Sequence, residues 1–164
     1  MANTSVYTGA DGSITLSVPA GGEGEKAEEI MNSYELISVG RVHDVRVEVT
    51  SDVKAYHEIG QRYATELRPG NINIQGRIGR AYVNGAMLNL LLGEAAGTRP
   101  AASWVQPAFN ITLLLQNAAT TDVRNTVTLH DVKLRNWVYQ IPEDDFVMES
   151  VEFQALYMTV QDEA

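Results

Sequence analysis

Long stretches of alternating apolar and polar residues are the feature that most constrains this chain. In residues 44–55 the odd positions are mainly valine and the even positions are polar or charged. Such period-two alternation places the two sets on opposite faces of a strand. Strands average about 5–6 residues, and this run is roughly twice as long. A strand this long with one polar face is expected where other chains complete the sheet. The pattern therefore favours a structural subunit of an assembly over an enzyme.

Length and composition indicate one folded domain spanning residues 1–164. The chain has 164 residues, of which 45% are hydrophobic, enough to form a core. It has no cysteine, which excludes disulfides, thiolate catalysis and cysteine-based zinc sites. The first residues lack the basic and apolar regions of a signal peptide. The longest apolar stretches, 87–92 and 113–115, are too short to span a bilayer, so no membrane partner is predicted.

The net charge of -9 limits how the chain can interact with nucleic acid. A protein that grips phosphates needs a basic footprint, which this composition does not favour. Two interpretations of the acidic balance stay open. It is compatible with a surface past which DNA slides without specific binding, and with simple solubility, which the charge alone favours.

The first half of the chain is predicted as an arm, a strand, a helix and a long extended region. Residues 1–13 are expected to form a flexible N-terminal arm. Residues 14–18 alternate as a short strand, and the helix formers of 25–31 favour a short helix. Residues 42–55 predict an extended strand or a protruding hairpin, and the polar stretch 56–68 is irregular.

The second half predicts further strands and one convincing helix. Pro69-Gly70 is a turn signal, and the glycines within the following strand, 71–83, indicate a bulge, a bend or a close backbone approach. Asn84 and Gly93 are suited to begin and end an apolar helix. Strands are then predicted over 108–116, over 126–139 with a bulge near His130-Asp131, and over 151–160.

These elements predict a mainly β fold. We expect an antiparallel β-sandwich or partly open β-barrel of six to seven strands with one packed α-helix. In the long strand 42–55 we expect Val45, Val47 and Val49 to enter the core. The polar face should meet water or a neighbouring subunit.

No motif of catalysis, cofactor binding or metal binding stands out, so the chain is predicted not to be an enzyme. The three histidines, at 43, 57 and 130, form neither an HxH pair nor an HExxH motif. Residues 143–145 lack the spaced oxygens of a calcium loop, and residues 76–80 lack the ending of a phosphate loop. No serine sits in a GxSxG elbow. Trp104 and Trp137 are better explained by core or interface packing than by sugar stacking.

Charged residues of the long strands and of the irregular stretch are the candidates for self-assembly. Arg77 and Arg80 are interpreted as donors of ion pairs between subunits. The full set of candidates is Arg46, Glu48, Asp52, Lys54, His57, Glu58, Arg62, Glu66, Arg68, Arg77 and Arg80.

The order of parts resembles a tail tube protein of contractile-tailed bacteriophages. The resemblance rests on the arm, the long amphipathic strands, the run from Arg68 to Ile78 with its alternating polar and apolar residues, the apolar helix at 87–92 and the strands that follow. It implies a sandwich with a flanking helix, related in fold to the haemolysin-coregulated protein and other injection-machine tubes.

The resemblance also implies an assembly and its partners. Subunits would form homohexameric rings that stack into the tube of a virion tail, assembled in the host cytoplasm. Residues 42–55 and 56–68 would serve the stacking. A tail sheath protein would lie outside, a tape-measure protein inside, and DNA would pass through the lumen without specific binding.

Two alternatives remain open. The chain is also compatible with another virion protein, such as a tail terminator, baseplate or decoration protein. It is further compatible with a ligand-binding β-barrel or small enzyme, although the apolar run Leu113–Leu115 disfavours a large cavity. For a tube we expect carboxylates along the lumen, whereas most of six arginines should pair with acids of adjacent copies at the outer wall and joins. These are Arg41, Arg62, Arg68, Arg77, Arg80 and Arg124.

Overall fold

The computed structural model describes residues 6–36 and 39–163 and confirms a mainly β, antiparallel fold. The described residues form seven strands and two α-helices, one helix more than the single packed helix expected. The strands are β1 (Gly12–Ser17), β2 (Val42–Tyr56), β3 (Glu66–Ala81), β4 (Phe109–Gln116), β5 (Arg124–Gln140), β6 (Met148–Ala155) and β7 (Tyr157–Glu163). The helices are α1 (Gly22–Ser33) and α2 (Ala86–Leu92).

The N-terminal arm is only partly within the described residues. Residues 1–5 of the predicted arm lie outside them. Residues Gly9–Asp11 form a short 3-10 turn, and β1 begins at Gly12, so the end of the predicted arm is already part of the sheet. The expected strand at 14–18 is confirmed as β1.

The strands form two sheets that share the long strand β5. The first sheet has the order β1-β4-β5-β7, and the second has the order β2-β3-β6-β5. The register between β4 and β5 slips between Phe109 and Ile111, opposite Asp131, whose φ is 52°. This confirms the predicted bulge near His130-Asp131. The bulge bends β5 and lets one strand belong to both layers.

The predicted single strand over 151–160 is wrong, because it is divided into β6 and β7. The break lies at Leu156, whose backbone N–H donates to the His130 carbonyl at 3.0 Å. β6 pairs with the second half of β5, whereas β7 pairs with the first half. The segment that forms β6 and β7 therefore bends at Leu156, opposite the bulge in β5.

The core lies between the two sheets and is closed by the helices. Its largest fully buried side chains include Phe109 and Ile111 of the first sheet and Phe153 of the second. Fully burying one such side chain contributes about 1.5–3 kcal/mol. Gly76 allows the second sheet to pack closely, because a Cβ at that position would collide with the Phe153 ring and the Arg46 carbonyl. The predicted close backbone approach at this glycine is confirmed.

A long hairpin extends beyond the sandwich. β2 and β3 pair from Val42–Arg80 to Tyr56–Glu66, whereas β6 pairs with β3 only over residues 74–81. Residues 49–73, here named the distal hairpin, therefore project from the sandwich. The eight residues 66–73 of β3 correspond to roughly 26 Å of strand.

The predicted turn at Pro69-Gly70 is wrong, because both residues lie inside β3. Proline is tolerated here for two reasons. Among the described residues, β3 has a partner on one side only in this region, and the register slips beside the proline, between Ser51 and Val53. The chain reverses instead between Tyr56 and Glu66.

Candidate self-assembly surfaces

The first candidate surface is an apolar side of the distal hairpin that faces water. Cross-strand partners share a face, so the register continues the inward row of Val45, Val47 and Ile74 along the hairpin. Val45 and Val47 pack against the core, as predicted, and Ile74 is buried. The hairpin stripe beyond them consists of Val49, Val53, Leu67 and Ile72, which are 51%, 60%, 65% and 66% exposed.

The prediction that Val49 enters the core is therefore wrong. β6 ends opposite Ile74, which is the cross-strand partner of Val49, and no described strand covers the hairpin beyond that point. The alternation correctly assigned the face of Val49. It could not show where the covering layer ends.

The opposite side of the hairpin carries the polar candidates. Arg46 pairs with Glu48 at 3.5 Å, and Arg68 pairs with Glu66 at 3.1 Å. All four side chains are largely exposed, and such pairs contribute about 0–1 kcal/mol. The other two candidates on β2, Asp52 and Lys54, are exposed as well.

The tip of the hairpin is the loop 57–65, here named the tip loop, and it holds His57, Glu58 and Arg62. It is closed by Thr65, whose backbone N–H donates to the Tyr56 carbonyl at 2.9 Å. Ile59 is fully exposed and Tyr63 nearly so. The region expected to be irregular over 56–68 is thus shorter, because Tyr56 and residues 66–68 belong to the strands.

The arginines predicted to pair with other subunits are mostly paired within the chain. Arg77 contacts Asp44 at 2.9 Å. Arg80 pairs with Glu149, and their side chains are 3% and 1% exposed. The Trp137 indole N–H also donates to Glu149, at 2.8 Å. We therefore correct the assignment of Arg80, because its buried guanidinium is not accessible to a neighbouring copy.

Arg124 is likewise paired within the chain. A side-chain hydrogen bond from Arg124 to Glu163, together with the charge of that carboxylate, raises the pKa of the Arg124 guanidinium. Among the described residues, only Arg41 and Arg62 of the six arginines expected at subunit joins form no ion pair.

A second candidate surface lies at the other end of the second sheet. Tyr82, Trp137 and Tyr139 form a contiguous aromatic cluster. The Tyr82 and Tyr139 rings stack with centroids 5.5 Å apart, and the Trp137 and Tyr139 centroids are 4.6 Å apart. Three exposed apolar residues lie in the loops next to this cluster. They are Val83, which follows Tyr82, and Ile141 and Phe146, which lie between β5 and β6. The cluster and these three residues together are here named the aromatic rim.

An apolar groove opens between the edge strands of the two sheets. It has a volume of about 530 Å³ and is lined by residues of β1, β2 and β4, among them Ile14, Val47 and Leu113–Leu115. The expectation that this apolar run disfavours a large cavity is corrected, because all three leucines line the groove. β1 and β2 are edge strands that do not pair with each other, and no other strand within residues 6–36 and 39–163 closes the sandwich on this side.

Within the described residues, no group of three or more metal-ligating His, Asp or Glu side chains is close enough to hold an ion. His130 stacks on Tyr157 with centroids 4.3 Å apart, and His43 and His57 are exposed. Trp104 is partly exposed and donates to the Leu92 carbonyl at 2.9 Å. None of the helices described has the length and apolar character needed to cross a membrane.

Comparison with known proteins gives structural neighbours only. No family model and no curated protein matches the sequence. A chain in the structure of an extracellular contractile injection system, the PVC sheath-tube complex in the extended state, has a TM-score of 0.66 at 10% identity, over 96% of this chain and 93% of that chain. A chain in the tube-terminating cap of the anti-feeding prophage has a TM-score of 0.66 at 12% identity, over 100% and 95%.

A third neighbour comes from a tail tube structure. A chain in the structure of the SPP1 tail tube has a TM-score of 0.60 at 9% identity, covering 96% of this chain and 80% of that chain. All three similarities extend over nearly the whole of the present chain. The chain therefore has the fold found in tail tube structures and in tube and cap structures of contractile injection systems, and the resemblance predicted from the sequence is confirmed at the level of the fold.

Proposed function

We propose that this protein is a non-catalytic structural subunit that self-assembles into stacked hexameric rings, forming the tail tube of a virion or a related injection machine. The observation that carries the proposal is the distal hairpin. Its apolar stripe is more than half exposed at four positions. Isolated two-stranded hairpins are at best marginally stable in water. Covering the exposed parts of these side chains would contribute roughly 1 kcal/mol each, which provides a reason for a partner.

The sheet edges support the same proposal. β1, β2 and β7 each pair with one strand among the described residues, so each offers an unpaired edge. Exposed edges promote uncontrolled association unless they are covered. Identical neighbours in a closed ring would satisfy these edges in a defined geometry. In this arrangement the inner sheets of adjacent copies would join around a lumen.

The structural neighbours support the assignment to a tube. The neighbour in the PVC structure comes from a sheath-tube complex, and another comes from the SPP1 tail tube. By analogy we propose a sheath protein outside the tube and a tape-measure protein inside it during assembly. DNA would pass through the lumen during ejection without specific binding, and the subunit would reside in the tail after assembly in the host cytoplasm.

Electron microscopy of the purified protein, combined with sedimentation velocity, tests the proposal. Tubes or six-fold rings support it. Rings of another order, or single rings that never stack, would instead favour a terminator, baseplate or decoration protein. A monomer at all concentrations would contradict it.

A matched pair of variants tests the role of the stripe. Leu67→Asp places a charge on the apolar side of the hairpin, and Asn73→Asp places the same charge on its polar side. Both variants should fold, because both positions are exposed. Only Leu67→Asp should lose assembly. Equal assembly by the two variants would remove the stripe from the interface.

The apolar groove favours one second candidate, a ligand-binding β-barrel. Its volume of about 530 Å³ lies within the range of about 300–1,000 Å³ that is typical of small-molecule sites. A monomeric protein that binds one equivalent of a fluorescent fatty acid would support this function. Ring formation without such binding would exclude it.

A further inference from the structure

We propose that Asn84 is converted to aspartate by a spontaneous deamidation that Arg80 promotes. The chain has one Asn-Gly dipeptide, Asn84-Gly85, and it lies where the aromatic rim continues into α2. Ring closure of an asparagine side chain onto the next backbone nitrogen is easiest when glycine follows, because no Cβ obstructs the approach. Both residues are half-buried, so water reaches them. The reaction needs only this chain and water, and it is independent of the proposed function.

The carboxamide oxygen of Asn84 lies between two hydrogen-bond donors. Its Oδ1 accepts from the Ala86 backbone N–H at 3.1 Å and from the Arg80 Nη2 at 3.3 Å. Because both neighbours can only donate, they require the oxygen of the carboxamide on this side rather than its nitrogen. The Arg80 guanidinium is held by Glu149, which also accepts from the Trp137 indole. The cationic donor is therefore in place before any reaction begins.

This arrangement stabilises the charge that develops during ring closure. The Gly85 backbone nitrogen loses its proton to hydroxide and attacks Cγ of Asn84, and the electron pair of the carbonyl bond moves to Oδ1. Donors that already point at an oxygen that becomes negative lower the barrier to its formation. The intermediate then collapses, the bond from Cγ to Nδ2 breaks, and the nitrogen leaves as ammonia after taking a proton from water. The product is a five-membered succinimide, and hydroxide is regenerated.

The same two donors direct how water opens the succinimide. They polarise the carbonyl at Cγ, so water adds to Cγ, the bond from Cγ to the Gly85 nitrogen breaks, and a normal aspartate results. Addition of water at the backbone carbonyl would instead give isoaspartate, which lengthens the main chain by one methylene before α2. The overall change is asparagine plus water to aspartate plus ammonia. The new carboxylate accepts from the same two donors in charge-assisted hydrogen bonds, which are stronger than the neutral ones.

Mass spectrometry of the folded protein, kept in a mildly alkaline buffer, tests the proposal. Deamidation exchanges an NH2 group for OH, and peptide mapping locates the exchange and separates aspartate from isoaspartate. We expect Asn84 to react with aspartate in excess, whereas the same chain unfolded in guanidinium chloride should give mainly isoaspartate. Absence of the reaction in the folded protein, or equal product ratios in the two states, would overturn the proposal.

The variant Arg80→Met/Glu149→Gln separates the role of the arginine from that of the fold. It removes the cationic donor without leaving a buried charge behind, so we expect it to fold. Its deamidation at Asn84 should be roughly tenfold slower than in the parent and richer in isoaspartate. A rate equal to or above that of the parent would mean that Arg80 only restrains the side chain, which contradicts the proposal.

Gly85→Ala is a matched control that leaves the buried ion pair intact. A Cβ at this position would lie 3.4 Å from the Asn89 Nδ2, which is an ordinary contact, so the variant should keep the fold. Deamidation at Asn84 should nearly cease, because the added methyl group hinders ring closure. Reaction at the rate of the parent would rule out the succinimide route.

Ala118→Gly provides a second control within a folded chain, because it creates another Asn-Gly dipeptide. The Asn117 Oδ1 accepts from the Ala119 backbone N–H at 2.8 Å but from no arginine among the described residues. Asn117 in this variant should therefore give mainly isoaspartate, while Asn84 in the same molecule gives mainly aspartate. The same excess of aspartate at both sites would leave Arg80 without a role and refute the proposal.

Discussion

Replacing Glu149 by glutamine should destabilise the fold more than any single change at an exposed ion pair. Glu149 neutralises Arg80, and both side chains are almost completely buried. Glutamine keeps the shape and can still accept from the Trp137 indole, but it leaves a buried guanidinium without a counter-charge. Breaking a buried pair in this way costs about 3–5 kcal/mol. In a domain of this size each kcal/mol lowers Tm by about 2–4 °C, so we expect a decrease of roughly 10 °C.

The measurement should be made on unassembled protein by urea and thermal denaturation, because assembly would itself stabilise the folded state. The matched control is Asp44→Asn, which breaks the half-exposed pair with Arg77 and should cost less than about 1 kcal/mol. The double variant Arg80→Met/Glu149→Gln removes both buried charges, keeps an acceptor for the Trp137 indole, and should recover most of the loss. Equal stability losses in Glu149→Gln and Asp44→Asn would refute the reasoning.

Three further predictions concern the hairpin and the net charge. Val47→Asp should prevent folding, because it places an unpaired charge against the core, whereas Val49→Asp should fold because Val49 is half exposed. Circular dichroism distinguishes a folded from an unfolded variant, and two folded variants would contradict the assigned boundary of the core. Replacing the tip loop, residues 57–65, with a Gly/Ser linker should leave a folded subunit that forms no tubes by microscopy, and normal tubes would remove its stacking role. Raising the salt concentration from a low value should favour assembly, because salt screens the repulsion between copies of charge -9 over about 8–10 Å. Assembled tubes should retain no duplex DNA in a filter-binding assay at physiological salt, and tight, salt-sensitive retention would reveal a basic groove.

Sequence periodicity was sufficient for most of the strands. The alternation of 42–55 identified β2, and the phase shift after Leu129 located the bulge at Asp131. These succeed because a pleated strand has a fixed period of two and because one extra residue inverts the pattern. Gly76 similarly indicated a close backbone approach, because a glycine inside a strand leaves room that a side chain would fill.

Features that depend on distant contacts could not be predicted in this way. Arg80 and Glu149 are separated by 69 positions, so nothing local indicates that they pair. The aromatic cluster combines Tyr82 with residues of β5 that follow it more than fifty positions later. The prediction of a turn at Pro69-Gly70 was wrong for the opposite reason. The local sequence favours a turn, but these residues lie in a strand that has no partner on one side among the described residues, and proline is tolerated at such an edge.

The pairing of charges on the subunit surface affects how DNA would pass through a tube. On the outward side of the second sheet, four ion pairs neutralise four basic and four acidic side chains. The pairs are Arg46–Glu48, Arg68–Glu66, Arg77–Asp44 and Arg135–Glu152. Nearly all of the excess negative charge therefore lies elsewhere on the subunit. A wall built from this side would not trap DNA, because its arginines already have carboxylate partners, and strong repulsion by an acidic lumen would not be required.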